Sequence, residues 1–205
     1  MTEKSPLPIT TSINELKVLH CVDEAVRAIT QLREPRHLTF IQDVALVLAQ
    51  AFENGNKVIL AGNGGSLCDA AHFAEELTGF FYQKRRALPA IVLSEPGHIT
   101  CTANDIGYEW VFHRGLEAHG KPGDVFIGLS TSGNSISIIR AFEKAKELGL
   151  KTVSFLGKEG GKMRGMADFE MFISGFPKSD RAQEAHMAAM HIIIEFVEVH
   201  LFADK

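Results

Sequence analysis

The chain has only three cysteines in 205 residues, Cys21, Cys68 and Cys101, and no two of them share a C-x-x-C spacing. That argues against a zinc knuckle and against a disulfide framework, and the odd, scattered count suits a reducing compartment. Positive charge is not in excess either: the net charge is −4, which argues against a general nucleic-acid binder. Residues Met1 to Ser12 lack a basic region followed by an apolar core, so no secretory signal is expected. No run of about 18 apolar residues is present to span a bilayer. The pattern G-x-x-x-x-G-K-[ST] is missing as well, and with it the lysine that grips a nucleotide triphosphate. What is left, 45% hydrophobic and 22% charged, is the composition of one compact globular domain, expected in the cytoplasm with no nucleic-acid or membrane partner.

The apolar residues fall into helical periods and short continuous runs. Residues 1–11, with Pro6 and Pro8, read as an arm of low order. From Ser12, Ile13, Leu16, Leu19, Val22, Val26 and Ile29 recur at steps of three and four, which predicts a helix. Pro35 makes Glu34 a boundary, since a residue before proline avoids the helical region. A second helix is predicted from about Arg36 to Glu53, stopped by Asn54-Gly55-Asn56. Five short apolar runs then alternate with helical stretches: Val58–Ala61, Ala90–Leu93, Val125–Leu129, Thr152–Leu156 and Phe169–Ile173. Such runs are the mark of parallel strands covered on both faces. The expected fold is α/β, a three-layer α/β/α sandwich with a five-stranded parallel sheet preceded by an N-terminal helical pair. Residues 1–56 are read as a helical segment used in oligomerisation, and 57–205 as the sheet-containing domain.

In such folds ligands sit beyond the carboxyl ends of the strands. After the third strand comes Ser130-Thr131-Ser132-Gly133-Asn134-Ser135, opening a helix. The first N–H groups of a helix have no internal partners and carry partial positive charge, so four hydroxyls at this spot favour a single phosphate over a mere cap. After the first strand, Gly62-Asn63-Gly64-Gly65-Ser66 is either a ligand-facing loop or a tight turn. The helix beyond it carries His72 and Glu76, four apart and on one face. That pair suits a metal or proton transfer, and pairs of this kind on exposed faces are more often simply solvated. Asn104-Asp105 reads equally as a turn or as a partner for sugar hydroxyls. The last helix, about Ser179 to Phe202, bears Gln183 and His191, two turns apart and within about 80° around the axis. His186 points farther from His191 and reads as a partly buried, structurally satisfied histidine.

Taken in order, AGNGGS (61–66), DAAHFAEELTG (69–79), Asn104-Asp105, GDVFIGLSTSGNS (123–135), GKEGGKM (157–163) and RAQEAHMAAMH (181–191) resemble the sugar isomerase (SIS) domain family, in its phosphoheptose isomerase branch. The resemblance covers the chain from about Val58 onwards. It implies an intramolecular oxidoreductase acting as an aldose–ketose isomerase: sedoheptulose 7-phosphate to D-glycero-D-manno-heptose 7-phosphate, the first step of ADP-heptose biosynthesis, which feeds lipopolysaccharide among other glycoconjugates. By position, it implies Glu76 and His191 as the catalytic pair. Substrate would be held by Asn63, Gly64, Gly65, Glu76, Asn104, Asp105, Ser130, Thr131, Ser132, Ser135 and Gln183. It also implies one zinc per subunit on His72, Glu76, Gln183 and His191, and a homotetramer. Phe80 stands where family members commonly carry arginine, and Lys84, Arg85 and Arg86 are the nearby cations that would have to compensate. The competing class within the family is a non-enzymatic adaptor associated with the replication initiator. An adaptor has no chemical need of the set His72, Glu76, Gln183 and His191.

Overall fold

The structure is a computed structural model and describes residues 15–203. The arm expected over residues 1–11 and the first residues of the first helix lie outside the described residues. Helix α1 spans Glu15–Thr30 and, after a 3-10 turn at Gln31–Arg33, α2 spans Pro35–Glu53. Glu34 between them is extended (φ −63°, ψ 137°), as the following proline requires. Then come β1 (Val58–Ala61), α3 (Gly65–Thr78), β2 (Ala90–Val92), α4 (Pro96–Asp105), α5 (Val111–His119), β3 (Val125–Ser130), α6 (Ile136–Glu147), β4 (Lys151–Gly157), β5 (Phe169–Ile173) and α7 (Asp180–Phe202). The five strands match the five apolar runs to within a residue at each end. Helices α4 and α5 are additions. Pro96 at the first helical position and the Glu95 carboxylate, which accepts from Gly97 N at 2.9 Å, start α4 although its apolar periodicity is weak. Asn104 and Asp105 are therefore its last turn, and the chain turns only at Ile106–Gly107, where Gly107 has φ +117°.

All strand pairs are parallel, in the order β2-β1-β3-β4-β5. Val58, Ile59, Leu60 and Ala61 are all buried, so alternate residues face two cores. One core lies between the sheet and α2, α3 and α7; Leu60, Ile127, Val153 and Phe155 point into it. The other lies between the sheet and α4, α5 and α6, and takes Ile59, Ala61 and Phe126. The helical pair divides in its packing. Helix α2 buries nine residues, among them Phe40, Val44, Leu48 and Phe52, whereas α1 buries only Ala28. Helix α7 has the length and mean hydropathy (1.3) of a membrane span, but half of that window is buried inside the protein, as for a core helix.

Two buried histidines tie α2 and α7 into this core. His186 is fully buried, its Nε2 on the Leu156 carbonyl at 3.0 Å and its ring edge-on to Phe155. His37 Nδ1 faces the Gln31 carbonyl at 2.7 Å. Burial holds the His186 imidazole well below its usual range, at about 4. The unfolded chain takes up a proton there near 6.5, so this histidine's contribution to stability is complete above that pH and is lost as pH falls toward 4. We expect the urea midpoint to drop between pH 7.5 and pH 5, and the drop to shrink in His186→Gln. An equal drop in the variant would show that other groups carry it.

Candidate active site

Strands β1 and β3 are neighbours, yet β2 follows β1 on one side and β4 follows β3 on the other. The switch in strand order therefore lies between their carboxyl ends, where Ala61 pairs with Gly128. Two helices begin there, α3 after β1 and α6 after β3, and in neither does a cap side chain take the first N–H groups. The hydroxyls of 130–135 brace the turn. Ser130 Oγ donates to Ser135 Oγ at 3.2 Å and accepts from Gly133 N, and Ser132 Oγ accepts from Asn134 N at 3.2 Å. Gly133 has φ +63°, and a Cβ there would lie 1.8 Å from the Gly160 carbonyl oxygen. The glycine-rich segment after β4 thus docks on this turn; Met163 N donates to Gly133 O at 2.9 Å and Lys162 N to Asn134 Oδ1 at 3.1 Å. The close approach that glycine permits is to this second loop.

Helices α3 and α7 pack against each other and assemble the second half of the site. One ligand atom each from His72, Glu76 and His191 falls within 4.8 Å of the others. His72 Nε2 is 3.4 Å from Glu76 Oε1 and 3.7 Å from Glu75 Oε1. Glu76 is the more enclosed carboxylate, 21% exposed against 65% for Glu75. The His191 ring meets His72 edge-on at 5.0 Å and stacks on Phe81 at 5.5 Å. Its Nε2 is buried without a hydrogen-bond partner, an arrangement that costs free energy unless a ligand completes it. Two imidazoles and a carboxylate at this separation fit a divalent transition metal.

Gln183 approaches the start of α3. Its Nε2 is 3.4 Å from Ser66 Oγ, and Gly65 leaves room for it, since a Cβ there would lie 2.6 Å from that nitrogen. Gln183 also lines a cavity of about 460 Å³ with Thr131, Ser132, Lys158, Lys178 and Asp180, which joins the turn after β3 to α7. The Asn63 side chain is held at both ends, donating to Ser137 Oγ at 3.1 Å and accepting from Tyr108 Oη at 2.7 Å. Gly64, at φ +56°, stands exposed just before α3. Asn104 and Asp105 are exposed and hydrogen-bonded to each other at 2.8 Å; among the described residues neither is bonded to the turn after β3 or to the histidines.

Arg85 does not stand in for an arginine at Phe80. Its side chain is 2% exposed and is closed by Glu198 and by main-chain carbonyls. The cations bordering the cavity are instead Lys158 and Lys178, on the loops after β4 and before α7. Sequence reasoning also passed over Asp69. It lies three residues before His72, so Asp69, His72 and Glu76 form one stripe at steps of three and four, a signal the sequence did contain. Asp69 Oδ2 is buried without a hydrogen-bond partner, and burial raises its carboxyl to about 6, against the pull of His72.

Comparison with known proteins agrees with this fold. The SIS domain profile matches residues 22–157. A phosphoheptose isomerase of Fusobacterium nucleatum subsp. nucleatum is 54% identical over 182 residues, covering 89% of this chain and 92% of that protein. One from Pectobacterium atrosepticum is 50% identical over 167 residues, covering 82% and 86%. The solved structure of a phosphoheptose isomerase from Neisseria gonorrhoeae superposes with a TM-score of 0.82 at 32% identity, covering 89% of this chain and 97% of that one.

The Asp69 carboxyl gives a stability test of the site. Its folded value lies above that of the unfolded chain, so the ionised form is a liability that grows as pH rises from about 4 to about 6. Asp69→Asn should stabilise the chain by on the order of 1 kcal/mol at pH 7.5 and by much less at pH 4.5. A gain independent of pH would dissociate the effect from this carboxyl.

Proposed function

The chain belongs to the SIS domain family, and from that membership we propose that it is a phosphoheptose isomerase, interconverting sedoheptulose 7-phosphate and D-glycero-D-manno-heptose 7-phosphate. The observation that carries this reading is the gathering of His72, Glu76 and His191 within 4.8 Å, in a chain that also presents a helix N-terminus rich in hydroxyls. An adaptor would need the fold but not these side chains, and the relatives that match over most of the chain bear the isomerase name.

In the proposed reaction the remote phosphate rests on Ser130, Thr131, Ser132 and Ser135 and the free N–H groups of α6, and supplies positioning. The open-chain sugar extends past Asn63, Gly64, Gly65 and Gln183, with Asn104 and Asp105 as further hydroxyl partners. Glu76 removes a proton from C1 of the ketose while His191 protonates the oxygen on C2, giving the enediol. The imidazole then takes the proton from the C1 oxygen as the carboxyl returns its proton to C2. Protons balance and no external oxidant enters; a carboxylate and an imidazole suit both transfers near neutral pH. His72, Glu76 and His191, with the Gln183 amide oxygen, would hold one zinc ion. When bound, that ion supplies Lewis-acid polarisation of the sugar oxygens.

We further propose a cytoplasmic homotetramer in which the segment 1–56 mediates assembly around the domain formed by 57–205. In support, α1 exposes Leu19, Val22 and Val26, and Leu38, Ile41, Ile192 and Phe196 border an apolar groove of about 370 Å³ between the helices. As a product of the first step toward ADP-heptose, the aldose would feed lipopolysaccharide or another heptose glycoconjugate.

The purified chain, with the mass of four copies in solution, should convert sedoheptulose 7-phosphate to the aldose. Activity should fall on chelation and return with zinc. Turnover indifferent to chelation would remove the metal from the proposal and leave the proton transfers; no turnover under either condition would overturn the isomerase reading.

A further inference from the structure

Residues 79–87 follow α3 with no helix or strand of their own, yet they supply Phe81, the ring stacked on His191. What holds this segment is a carboxylate buried near the C-terminal end of α7. Glu198 is 1% exposed. Its Oε1 accepts from Phe81 N at 3.1 Å and from Arg85 Nε at 2.8 Å, and its Oε2 accepts from Tyr82 N at 3.0 Å and Gln83 N at 3.1 Å. Three successive main-chain N–H groups closing on one carboxylate form an anion nest. Arg85 completes the arrangement from the other side. It donates to the carbonyls of Leu77 at 2.9 Å and Gly79 at 3.0 Å, and through its other terminal nitrogen to the carbonyl of Glu76 at 2.9 Å. These are carbonyls at the end of α3 that lack helical partners, and a cation at a helix C-terminus is favourable.

Burying an ion pair is a weak route to stability, because desolvation of the two charges offsets most of their attraction; apolar residues of the same volume often do as well. What an apolar pair would not supply is direction. The three main-chain bonds to Glu198 fix the backbone from Phe81 to Gln83, and a bond from Arg85 fixes the carbonyl of Glu76 itself. We propose that Glu198 and Arg85 are positioning residues, a clasp between α7 and the end of α3 that seats Phe81 against His191 and holds Glu76 in register with it. The inference rests on the isomerase reading for its consequence in turnover, but its geometric content does not.

Two measurements test it. The first is kcat and KM on sedoheptulose 7-phosphate for the unaltered chain, Phe81→Ala, Glu198→Gln and the double variant. Each single change should lower kcat on the order of 10- to 100-fold, the usual loss when the support of a reactive group is removed. KM should hardly move, since the phosphate-binding turn belongs to β3 and α6. The double variant should be no slower than the slower single, because Glu198→Gln already unseats Phe81. Effects that multiply, or full kcat in Phe81→Ala, would overturn the proposal. Should Glu198→Gln not fold, Phe81→Leu with the clasp intact takes its place: lowered kcat at an unchanged melting temperature supports the proposal, and full kcat overturns it. The second measurement is the NMR shift of the His191 ring protons, assigned with His191→Gln. Stacking on Phe81 displaces them, and Glu198→Gln should remove the displacement as Phe81→Ala does. A retained displacement in Glu198→Gln overturns the clasp whether or not the chain turns over this sugar. Its loss in a chain that proves inactive sustains the clasp and discards the isomerase reading.

Discussion

Everything functional in this chain depends on the parallel pairing of β1 with β3. The pairing brings the ends of the two strands level, so that α3 and α6 both start at the switch in strand order with their positive ends toward one crevice. At the opposite ends of the same strands the register is pinned. Asp124, fully buried just before β3, accepts from the Lys57 main-chain N–H at 3.0 Å and pairs with the Lys57 ammonium just before β1. A slip of one residue would turn Leu60 and Ile127 from one core to the other and pull the two helix starts apart.

From that crevice the site divides between two kinds of support. The hydroxyl-rich turn is braced by a second loop that packs on it, with Gly133 in contact with Gly160 and Gly161. The histidines and Glu76 lie on helices whose side-chain spacing the sequence dictates, and their meeting depends on how α3 and α7 lie together. One arrangement suits a group to be held, the other suits groups that must move protons between neighbouring atoms. The buried, unpartnered Nε2 of His191 and Oδ2 of Asp69 are polar atoms left without protein partners close to this meeting, where a ligand is expected.

Much of this was legible from the sequence because it is local. The short continuous apolar runs gave strand limits to within a residue, and Pro35 with Asn54-Gly55 bounded α2. The hydroxyl-rich turn and the His72–Glu76 pair were visible as residue types at a fixed spacing on predicted elements. What was not legible depends on residues far apart in the chain. Arg85 was read with Lys84 and Arg86 as a cation to compensate for Phe80, because Glu198, 113 residues later, could not be placed beside it. Asp69 was passed over because its spacing to His72 does not reveal the burial that raises its carboxyl. Helix α4 was missed for a local reason: its start rests on Glu95 and Pro96, not on apolar periodicity. Asn104-Asp105 was accordingly placed in a turn that begins two residues later.

The central claim is that binding and chemistry are carried by separate parts, the turn after β3 and the meeting of α3 with α7. Steady-state kinetics on three variants tests it most directly. Glu76→Gln and His191→Gln should each lower kcat by about 10²–10⁴-fold with KM little changed, the range expected when a positioned acid or base is removed. Ser132→Ala should do the reverse, raising KM while kcat is kept. Full kcat in both Glu76→Gln and His191→Gln would contradict the account.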